Sequence, residues 1–249
     1  GTPTFGGLLI LVALLLSTLL WSELNSPYVW IVLGVTLGFG LIGFIDDYEK
    51  AIRKNPQGIS ARTKFLFQIA ISSVAAAAIW TVPGFDAEIS VPFFKDFHPN
   101  IGALYVPVII FVIVGTSNGV NLTDGLDGLA VGPVLTTSLV IGAFSYAVGN
   151  SVISAYLGTK YVADAGSLAI ICASMIGAGL GFLWFNTYPA SVFMGDTGAL
   201  AIGGALGTIA CIIRQELVLV IAGGIFVLET VSVIVQVISF KMTGRRVFR

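Results

Sequence analysis

Long apolar runs limit what this chain can fold into. Eight stretches approach the roughly 20 apolar residues that a helix needs to cross a bilayer. Inside hydrocarbon, only helices and closed barrels leave no backbone group unpaired, and runs of this length fit helices. The sequence therefore predicts an all-α fold, a polytopic integral membrane bundle of about eight transmembrane helices. They are predicted at 5–21, 28–45, 64–82, 101–117, 129–148, 167–185, 199–213 and 217–240.

The composition agrees with a membrane protein, because 56% of the 249 residues are hydrophobic and only 10% are charged. Soluble domains carry about 25% charged residues. Cys172 and Cys211 lie inside apolar runs, which indicates buried thiols rather than a disulfide or a metal site. The single histidine, His98, excludes a histidine-rich metal centre within these residues, and we expect no nucleic-acid partner. We expect residues 1–249 to form a single transmembrane domain, cut at both ends from a longer protein.

The loops differ in charge from one side of the predicted bundle to the other. Lys and Arg residues concentrate in the segments that follow the second and the eighth predicted helices, which lie on one side. The loops of the opposite side hold only Lys95, Lys160 and Arg214. The positive-inside rule places the more basic side in the cytoplasm. On the opposite side, the stretch EISVPFF is a candidate for a short hairpin.

Five aspartates stand at the ends of apolar runs, where an ionised carboxylate is costly and usually functional. They fall in three motifs, GFIDDYEK, NLTDGLDGLA and VFMGDTGAL. The motifs follow the second, fourth and sixth predicted helices, which all exit on the same side. We therefore predict that the five side chains meet at the cytoplasmic surface: Asp46, Asp47, Asp124, Asp127 and Asp196.

Each motif also has a plainer structural explanation. Asp46 and Asp47 could form a solvated helix end, although neighbours on a helix point about 100° apart and could instead face a cleft and a cation. In the second motif, Asp127 could cap the fifth predicted helix. In the third, Asp196 or Thr197 could be the N-cap of the seventh.

Taken together, the motifs place hard oxygen ligands beside a basic rim and an aromatic side chain at one membrane surface. Magnesium prefers one or two carboxylates plus substrate phosphates, and Lys and Arg suit the phosphates themselves. This combination favours magnesium-dependent phosphoryl transfer, in which positioning and charge neutralisation dominate catalysis. A site embedded in a membrane implies that one reactant is a lipid.

The motifs NLTDGLDGLA and FMGDTG are together highly specific for one enzyme family, and GFIDDY and FKMTGRRVFR extend the match along the chain. In these residues the chain resembles the phospho-N-acetylmuramoyl-pentapeptide transferases, a branch of the polyprenyl-phosphate N-acetylhexosamine-1-phosphate transferases, and its wording is closest to gammaproteobacterial members. The resemblance implies transfer of phospho-N-acetylmuramoyl-pentapeptide from UDP-N-acetylmuramoyl-pentapeptide to undecaprenyl phosphate, giving lipid I and UMP, the first membrane step of peptidoglycan synthesis. It also implies Mg²⁺, a homodimer, and a bacterial inner membrane location with the active site facing the cytoplasm.

The resemblance carries roles onto matching positions. Asp196 resembles the principal magnesium ligand. Asp46 resembles the general base toward the lipid phosphate, with Asp47 beside it in the same catalytic pair. Phe193 resembles the aromatic residue that stacks on uracil. Further substrate-binding positions are matched at Lys50, Lys64, Asn121, Asp124, Gly125, Leu126, Asp127, Asn186 and Gln236.

The chain departs from the family's pattern in having eight of its ten helices and no histidine-rich loop after GRRVFR. Three alternatives stay open. The N-acetylglucosamine-1-phosphate branch tends to carry a further aspartate shortly after the pair, which DDYEKAIRK lacks. An ion-coupled transporter would place its acids near the bilayer midplane. A membrane scaffold without catalysis is the third alternative.

Overall fold

The structure, a computed structural model, describes residues 3–55, 57–94 and 97–247. In these ranges the predicted all-helical membrane bundle is confirmed. Seven helices are long and apolar enough to cross a membrane, and an apolar helix of 16 residues precedes them. The α-helices are α1 Gly6–Trp21, α2 Pro27–Ala51, α3 Ala61–Thr81, α4 Tyr105–Thr123, α5 Val131–Val148, α6 Ser151–Leu157, α7 Leu168–Asn186, α8 Gly195–Ile212, α9 Glu216–Ala222 and α10 Gly224–Thr243.

Three helices extend further into the polar motifs than the apolar runs predict, and α2 continues to Ala51 instead of ending at residue 45. Helix α4 continues to Thr123 instead of ending at residue 117, and α8 begins at Gly195 instead of residue 199. The polar side chains in these extensions find partners inside the bundle. Ser117 Oγ, for example, donates to the Leu200 carbonyl at 2.9 Å. Asp196 therefore lies within the first turn of a helix rather than in a loop.

The prediction of one continuous helix over 217–240 is wrong. Helix α9 ends at Ala222. The φ of −92° and ψ of 26° at the next residue, Gly223, leave the helical region, and α10 begins at Gly224. The hairpin suggested for EISVPFF is reduced, in the described part of that loop, to one antiparallel bridge between Glu88 and Asn100. The short helix α6 has no counterpart in the prediction.

Helix α8 forms the centre of the bundle. Its residues 197–212 are all buried, and it packs against α1, α2, α4 and α5. Small residues allow this, since a Cβ added to Gly203 would lie 2.6 Å from the Ser117 Cα of α4. A Cβ added to Gly207 would likewise lie 2.9 Å from the Ile113 Cα, so α8 and α4 approach closely along this face. At Gly177 and Gly181, by contrast, an added Cβ would have no described atom within 4 Å.

The ends of α2, α4 and α7 meet the start of α8 at one end of the bundle. Helix α2 has 25 residues and is therefore about 38 Å long, which exceeds the roughly 30 Å of bilayer hydrocarbon. Its last two turns carry Asp46 and Asp47. These carboxylates therefore lie at the level of the membrane surface rather than at the midplane.

At the opposite end, charged side chains pair with one another. Lys160 contacts both Asp86 and Glu88. Arg214, which is only 3% exposed, lies 3.1 Å from Asp86 and stacks over the Phe85 ring. These contacts join the loop after α3 to the loop before α7 and to the turn between α8 and α9. The positive charges of Lys160 and Arg214 are therefore compensated within the fold.

Candidate active site

Three carboxylates converge where α2 ends and α8 begins. Asp46, Asp47 and Asp196 each bring a carboxylate oxygen within 4.8 Å of the others. Asp46 and Asp47 are 0% and 5% exposed, so the alternative of a solvated helix end is wrong. The two neighbours also point in different directions, as helical geometry requires. Asp46 faces lysine side chains, whereas Asp47 faces the first turn of α8.

Asp47 closes the amino-terminal end of α8. Its carboxylate accepts hydrogen bonds from the Thr197 amide at 2.9 Å, the Thr197 hydroxyl at 2.6 Å and the Asp196 amide at 3.2 Å. The first amides of a helix have no intrahelical partner, and the helix dipole favours a negative charge there. Helix α8 is therefore capped by a side chain from a different helix, and not by Asp196 or Thr197 as predicted. Its N-cap residue, Met194, makes no capping hydrogen bond with its side chain.

Gly195 makes this approach possible. Its φ is +73°, a left-handed conformation that favours glycine. A Cβ at this position would lie 2.7 Å from Asp47 Oδ2 and 2.5 Å from the Thr4 carbonyl oxygen. Any larger residue would therefore push α2 and the segment before α1 away from the start of α8.

Two lysines occupy the space between the carboxylates of Asp46 and Asp196. Lys50 Nζ lies 2.5 Å from Asp46 Oδ2, and Lys64 Nζ lies 2.8 Å from the same oxygen. Lys64 also contacts Asp196 Oδ2 at 2.5 Å, and Lys50 lies 3.6 Å from it. Asp46 Oδ1 accepts a bond from the Ile59 amide at 2.7 Å, which holds the loop between α2 and α3 over the cluster. Both lysine side chains remain partly exposed, so they can exchange partners.

A cavity of about 280 Å³ opens beside Asp196. Its walls come from the NLTDGLDGLA segment and from the loop between α7 and α8, and the two are joined by side chains. Asp127 accepts from the Ala190 amide at 3.0 Å, so the suggestion that it caps α5 is wrong. Asn186 Oδ1 accepts from the Gly128 amide, and its Nδ2 donates to the Val192 carbonyl. The cavity is lined by Asn121, Asp124, Gly125, Leu126, Asp127, Asn186, Phe193, Gly195 and Asp196.

Asp124 follows the last residue of α4 and faces this cavity. Burial, followed by the nearby Asp196 carboxylate, raises the pKa of Asp124 to about 7. A hydrogen bond from the Gly195 amide opposes this rise only in part. Asp124 is therefore the carboxyl of the cavity that changes charge near neutral pH.

The structure thus brings most of the sequence-predicted site residues to one place, on both sides of the carboxylate cluster. Gln236 does not line this cavity. It lies on α10, and its Oε1 accepts a bond from the Val247 amide. Sequence reasoning did not identify Thr197 and Ile59 as partners of the aspartates. The threonine of the GDTG motif is the only signal in the sequence that points to either.

The cluster has donors suited to a divalent cation. Asp47 uses both of its oxygens to bind the start of α8, and Asp46 Oδ1 binds the Ile59 amide. The oxygens directed toward the lysines, Asp46 Oδ2 and Asp196 Oδ2, are hard ligands of the kind that magnesium prefers. A cation bound there would take the place of an ammonium group.

Comparison with known proteins identifies the family of the chain. The family model described as glycosyl transferase family 4 matches residues 29–214, which include every aspartate of the three motifs. A phospho-N-acetylmuramoyl-pentapeptide-transferase of Pelobacter propionicus is 54% identical over all 249 residues, which cover 70% of that relative. Proteins of the same name from Citrifermentans bemidjiense and Geobacter sp. strain M21 are 52% and 51% identical over the same length, again 70% of each. The chain therefore belongs to glycosyl transferase family 4, within the group that contains these phospho-N-acetylmuramoyl-pentapeptide-transferases.

Proposed function

We propose that this protein transfers phospho-N-acetylmuramoyl-pentapeptide from UDP-N-acetylmuramoyl-pentapeptide to undecaprenyl phosphate, releasing UMP and forming lipid I. The observation that carries the proposal is the convergence of Asp46, Asp47 and Asp196 with two lysines at the membrane-surface end of the bundle. Phosphoryl transfer requires this combination of cation ligands and phosphate-binding cations. The names of the relatives identify the transferred group as phospho-N-acetylmuramoyl-pentapeptide, whereas the UDP-linked donor and the undecaprenyl phosphate acceptor are part of the proposal.

In the reaction, an oxygen of the lipid phosphate forms a bond to the β-phosphorus of the donor. The bond between that phosphorus and the bridging oxygen breaks, and UMP leaves with this oxygen. Asp46 takes any proton carried by the attacking oxygen. In the structure, Asp46 Oδ2 is paired with both Lys50 and Lys64 and is therefore not free to accept a proton. We infer that substrate phosphates draw these ammonium groups away from Asp46 and thereby free this oxygen for the proton of the attacking group.

Magnesium is the proposed cofactor, and Asp196 is its principal ligand. When bound, the ion would neutralise charge on the diphosphate and on the leaving oxygen. Asp47 does not serve as a ligand in this proposal. By capping α8 it holds the Asp196 backbone in position through the amide bond at 3.2 Å.

The 280 Å³ cavity is the proposed nucleoside site. Phe193, 37% exposed at its wall, supplies a ring face for uracil. The backbone around Gly125 and the side chains of Asn121, Asp124 and Asp127 supply polar contacts. Asn186 acts indirectly, because both ends of its amide already bind the two loops that form the wall.

We further propose that the site faces the cytoplasm of a bacterial inner membrane, where UDP-linked donors are found, and that the protein works as a homodimer. The charge asymmetry of the loops supports the orientation. An ion-coupled transporter is less well supported, because the carboxylate cluster lies at the ends of helices. The N-acetylglucosamine branch is less well supported because the three relatives carry the muramoyl-pentapeptide name.

Release of UMP by the purified protein tests the function. We expect turnover with UDP-N-acetylmuramoyl-pentapeptide that requires both undecaprenyl phosphate and magnesium. Use of UDP-N-acetylglucosamine in place of the muramoyl donor would assign the chain to the other branch. Absence of release with either donor, from protein that still binds UMP, would contradict the transferase function.

A further inference from the structure

A second cavity lies on the other side of the carboxylate cluster, between the start of α3 and the later turns of α4. It encloses about 620 Å³. Its polar wall consists of Gln57, Arg62, Lys64, Gln68, Asn118 and Asn121. Only Lys64 and Asn121 of these residues were predicted as site residues from the sequence, and the proposed nucleoside site does not account for the other four.

Gln68 presents an unused hydrogen-bond donor at this cavity. The residue is 1% exposed, and its Oε1 accepts from Asn118 Nδ2 at 2.8 Å. Asn118 Nδ2 also donates to the Val114 carbonyl at 2.8 Å, which fixes the orientation of its own amide and requires Gln68 to present oxygen toward it. Gln68 Nε2 is then turned the other way, and it has no hydrogen-bond partner among the described residues.

An unpartnered buried donor destabilises the folded state, so native structures rarely keep one without a reason. A ligand oxygen in the cavity would satisfy it. Two cationic side chains line the same space: Arg62, which is exposed, and Lys64, whose ammonium lies between Asp46 and Asp196. The donors and the positive charge together point to an anionic oxygen ligand, such as a phosphate.

The cavity also has a hydrocarbon-facing side. Phe65 lines it and is 51% exposed, and the next two residues, Leu66 and Phe67, are 67% and 56% exposed. All three belong to the membrane-spanning helix α3. A ligand entering here would therefore place a polar head against Gln68 and leave an apolar chain in the bilayer, which a water-soluble nucleotide cannot do.

The position of the cavity relative to the nucleoside site fits an in-line reaction. Asn121 lines both cavities, and the Lys64–Asp196 ion pair stands at their border, with one partner in each wall. In phosphoryl transfer the attacking and leaving oxygens approach from opposite sides of the phosphorus. If the leaving UMP occupies the smaller cavity, the attacking group belongs in the larger one.

We propose that the cavity between α3 and α4 binds the phosphate head group of the lipid acceptor, and that Gln68 Nε2 and Arg62 donate hydrogen bonds to it. This inference rests on the proposed function for the identity of the acceptor, but the binding itself can be measured without turnover. Asn118 acts as a positioning residue that holds the Gln68 amide in the required orientation.

The test compares Gln68→Leu and Gln68→Glu with a matched control, Ser72→Ala. Ser72 lies one turn further along α3, is 0% exposed, and has an unpartnered hydroxyl, yet it does not line the cavity. Binding of undecaprenyl phosphate, undecaprenol, inorganic phosphate and UMP is measured for the full chain in lipid nanodiscs. Because a hydrogen bond to a charged group contributes about 1.5–3 kcal/mol, both Gln68 variants should bind undecaprenyl phosphate roughly ten- to a hundredfold more weakly than the wild type.

The same variants should bind UMP and undecaprenol as the wild type does, and Ser72→Ala should bind all four compounds unchanged. In assays of turnover, the KM for undecaprenyl phosphate should rise while the KM for the nucleotide donor stays constant. Weaker UMP binding in the Gln68 variants would assign the cavity to the nucleotide. Equal losses for undecaprenol and its phosphate would mean that Gln68 acts through packing, and unchanged binding of every compound would exclude a head-group site.

Failure of the proposed function gives a different result. If the wild-type protein binds undecaprenyl phosphate through Gln68 but releases no UMP, the proposed transferase function is contradicted. The proposal that this cavity binds a lipid phosphate would still hold. Tight binding of inorganic phosphate, equal to that of the lipid, would show that the site recognises a free anion and would overturn the lipid acceptor.

Discussion

Asp196 is the residue on which the proposed chemistry most depends, because its carboxylate reaches the border of both cavities. Asp196→Asn keeps the shape of the side chain but removes its charge, so the divalent cation should bind more weakly. Loss of one preorganised electrostatic group at a reaction centre typically lowers turnover roughly a hundred- to a thousandfold. We expect a loss of this size in magnesium-dependent UMP release.

The matched control is Asp164→Asn, which changes an exposed aspartate in the loop before α7. Its φ of +61° is one that asparagine also tolerates, so the backbone should not change. This variant should retain wild-type turnover. Full magnesium-dependent activity in Asp196→Asn would remove Asp196 from the metal role.

Asp124 gives the site a pH dependence that can be measured through stability. Burial and the Asp196 carboxylate raise the pKa of Asp124 to about 7, whereas an unfolded aspartate titrates near 3.9. Between these values the folded state binds more protons than the unfolded state, so the free energy of unfolding falls as pH rises. In magnesium-free buffer, thermal unfolding should show the wild type losing stability relative to Asp124→Asn between about pH 4 and 8. A constant difference across that range would contradict the raised pKa.

At this scale the sequence predicted the aspartates well and their partners poorly. An acidic residue beside an apolar run can be identified from the sequence alone, because an ionised carboxylate near hydrocarbon has a high free energy and is therefore rare. The bond between Asp47 and Thr197, or between Gln68 and Asn118, joins residues far apart in the chain. Only the packing of α2 on α8 and of α3 on α4 decides such pairs, and no local pattern encodes them.

Among the helices, the contact between α2 and α8 sets the geometry of the cluster. A Cβ on Gly43 would lie 2.3 Å from the Asp196 carbonyl oxygen and 2.5 Å from the Thr197 amide nitrogen. Gly43→Ala should therefore push the two helices apart just where Asp47 caps α8. Overpacking of this kind typically costs about 1–3 kcal/mol, and we expect a lower Tm together with reduced UMP release.

Gly34 provides the comparison on the same helix, because an added Cβ there would have no described atom within 4 Å. Gly34→Ala should leave activity unchanged and stabilise the protein slightly, since alanine favours a helix by about 1 kcal/mol over glycine. Equal Tm values for the two alanine variants would show that α2 and α8 tolerate a wider separation at the site.

The order of the long helices followed from apolar length, but the short helix α6, the break between α9 and α10 and several helix ends did not. Helices α4 and α8 continue through Ser117 and Asp196 because polar side chains there are satisfied inside the bundle, and an apolar run ends where such residues begin. The interruption at Gly223 lies within an unbroken apolar stretch. Apolar content alone cannot distinguish a straight helix from one that bends at a glycine.

At the scale of the whole molecule, the two ends of the bundle treat charge differently. At one end Lys160 and Arg214 are compensated by Asp86 and Glu88. At the other end, the carboxylate cluster is surrounded by Lys50, Arg62 and Lys64. In the proposed reaction, substrate phosphates would draw the lysine side chains away from the carboxylates. This asymmetry agrees with the positive-inside rule, which counts the basic residues near helix ends and predicts that the carboxylate end faces the cytoplasm.

Thiol labelling tests that orientation directly, because Cys172 and Cys211 are 1% and 0% exposed and should not react. Ala51→Cys places an exposed thiol at the end of α2, beside the cluster, and Ala163→Cys places one in the loop before α7 at the opposite end. In intact spheroplasts a membrane-impermeant maleimide should label Ala163→Cys and should reach Ala51→Cys only after permeabilisation. The reverse labelling pattern would show that the site faces away from the cytoplasm, where UDP-linked donors are found. The protein could then not bind its proposed donor, even if every residue at the cluster were correctly assigned.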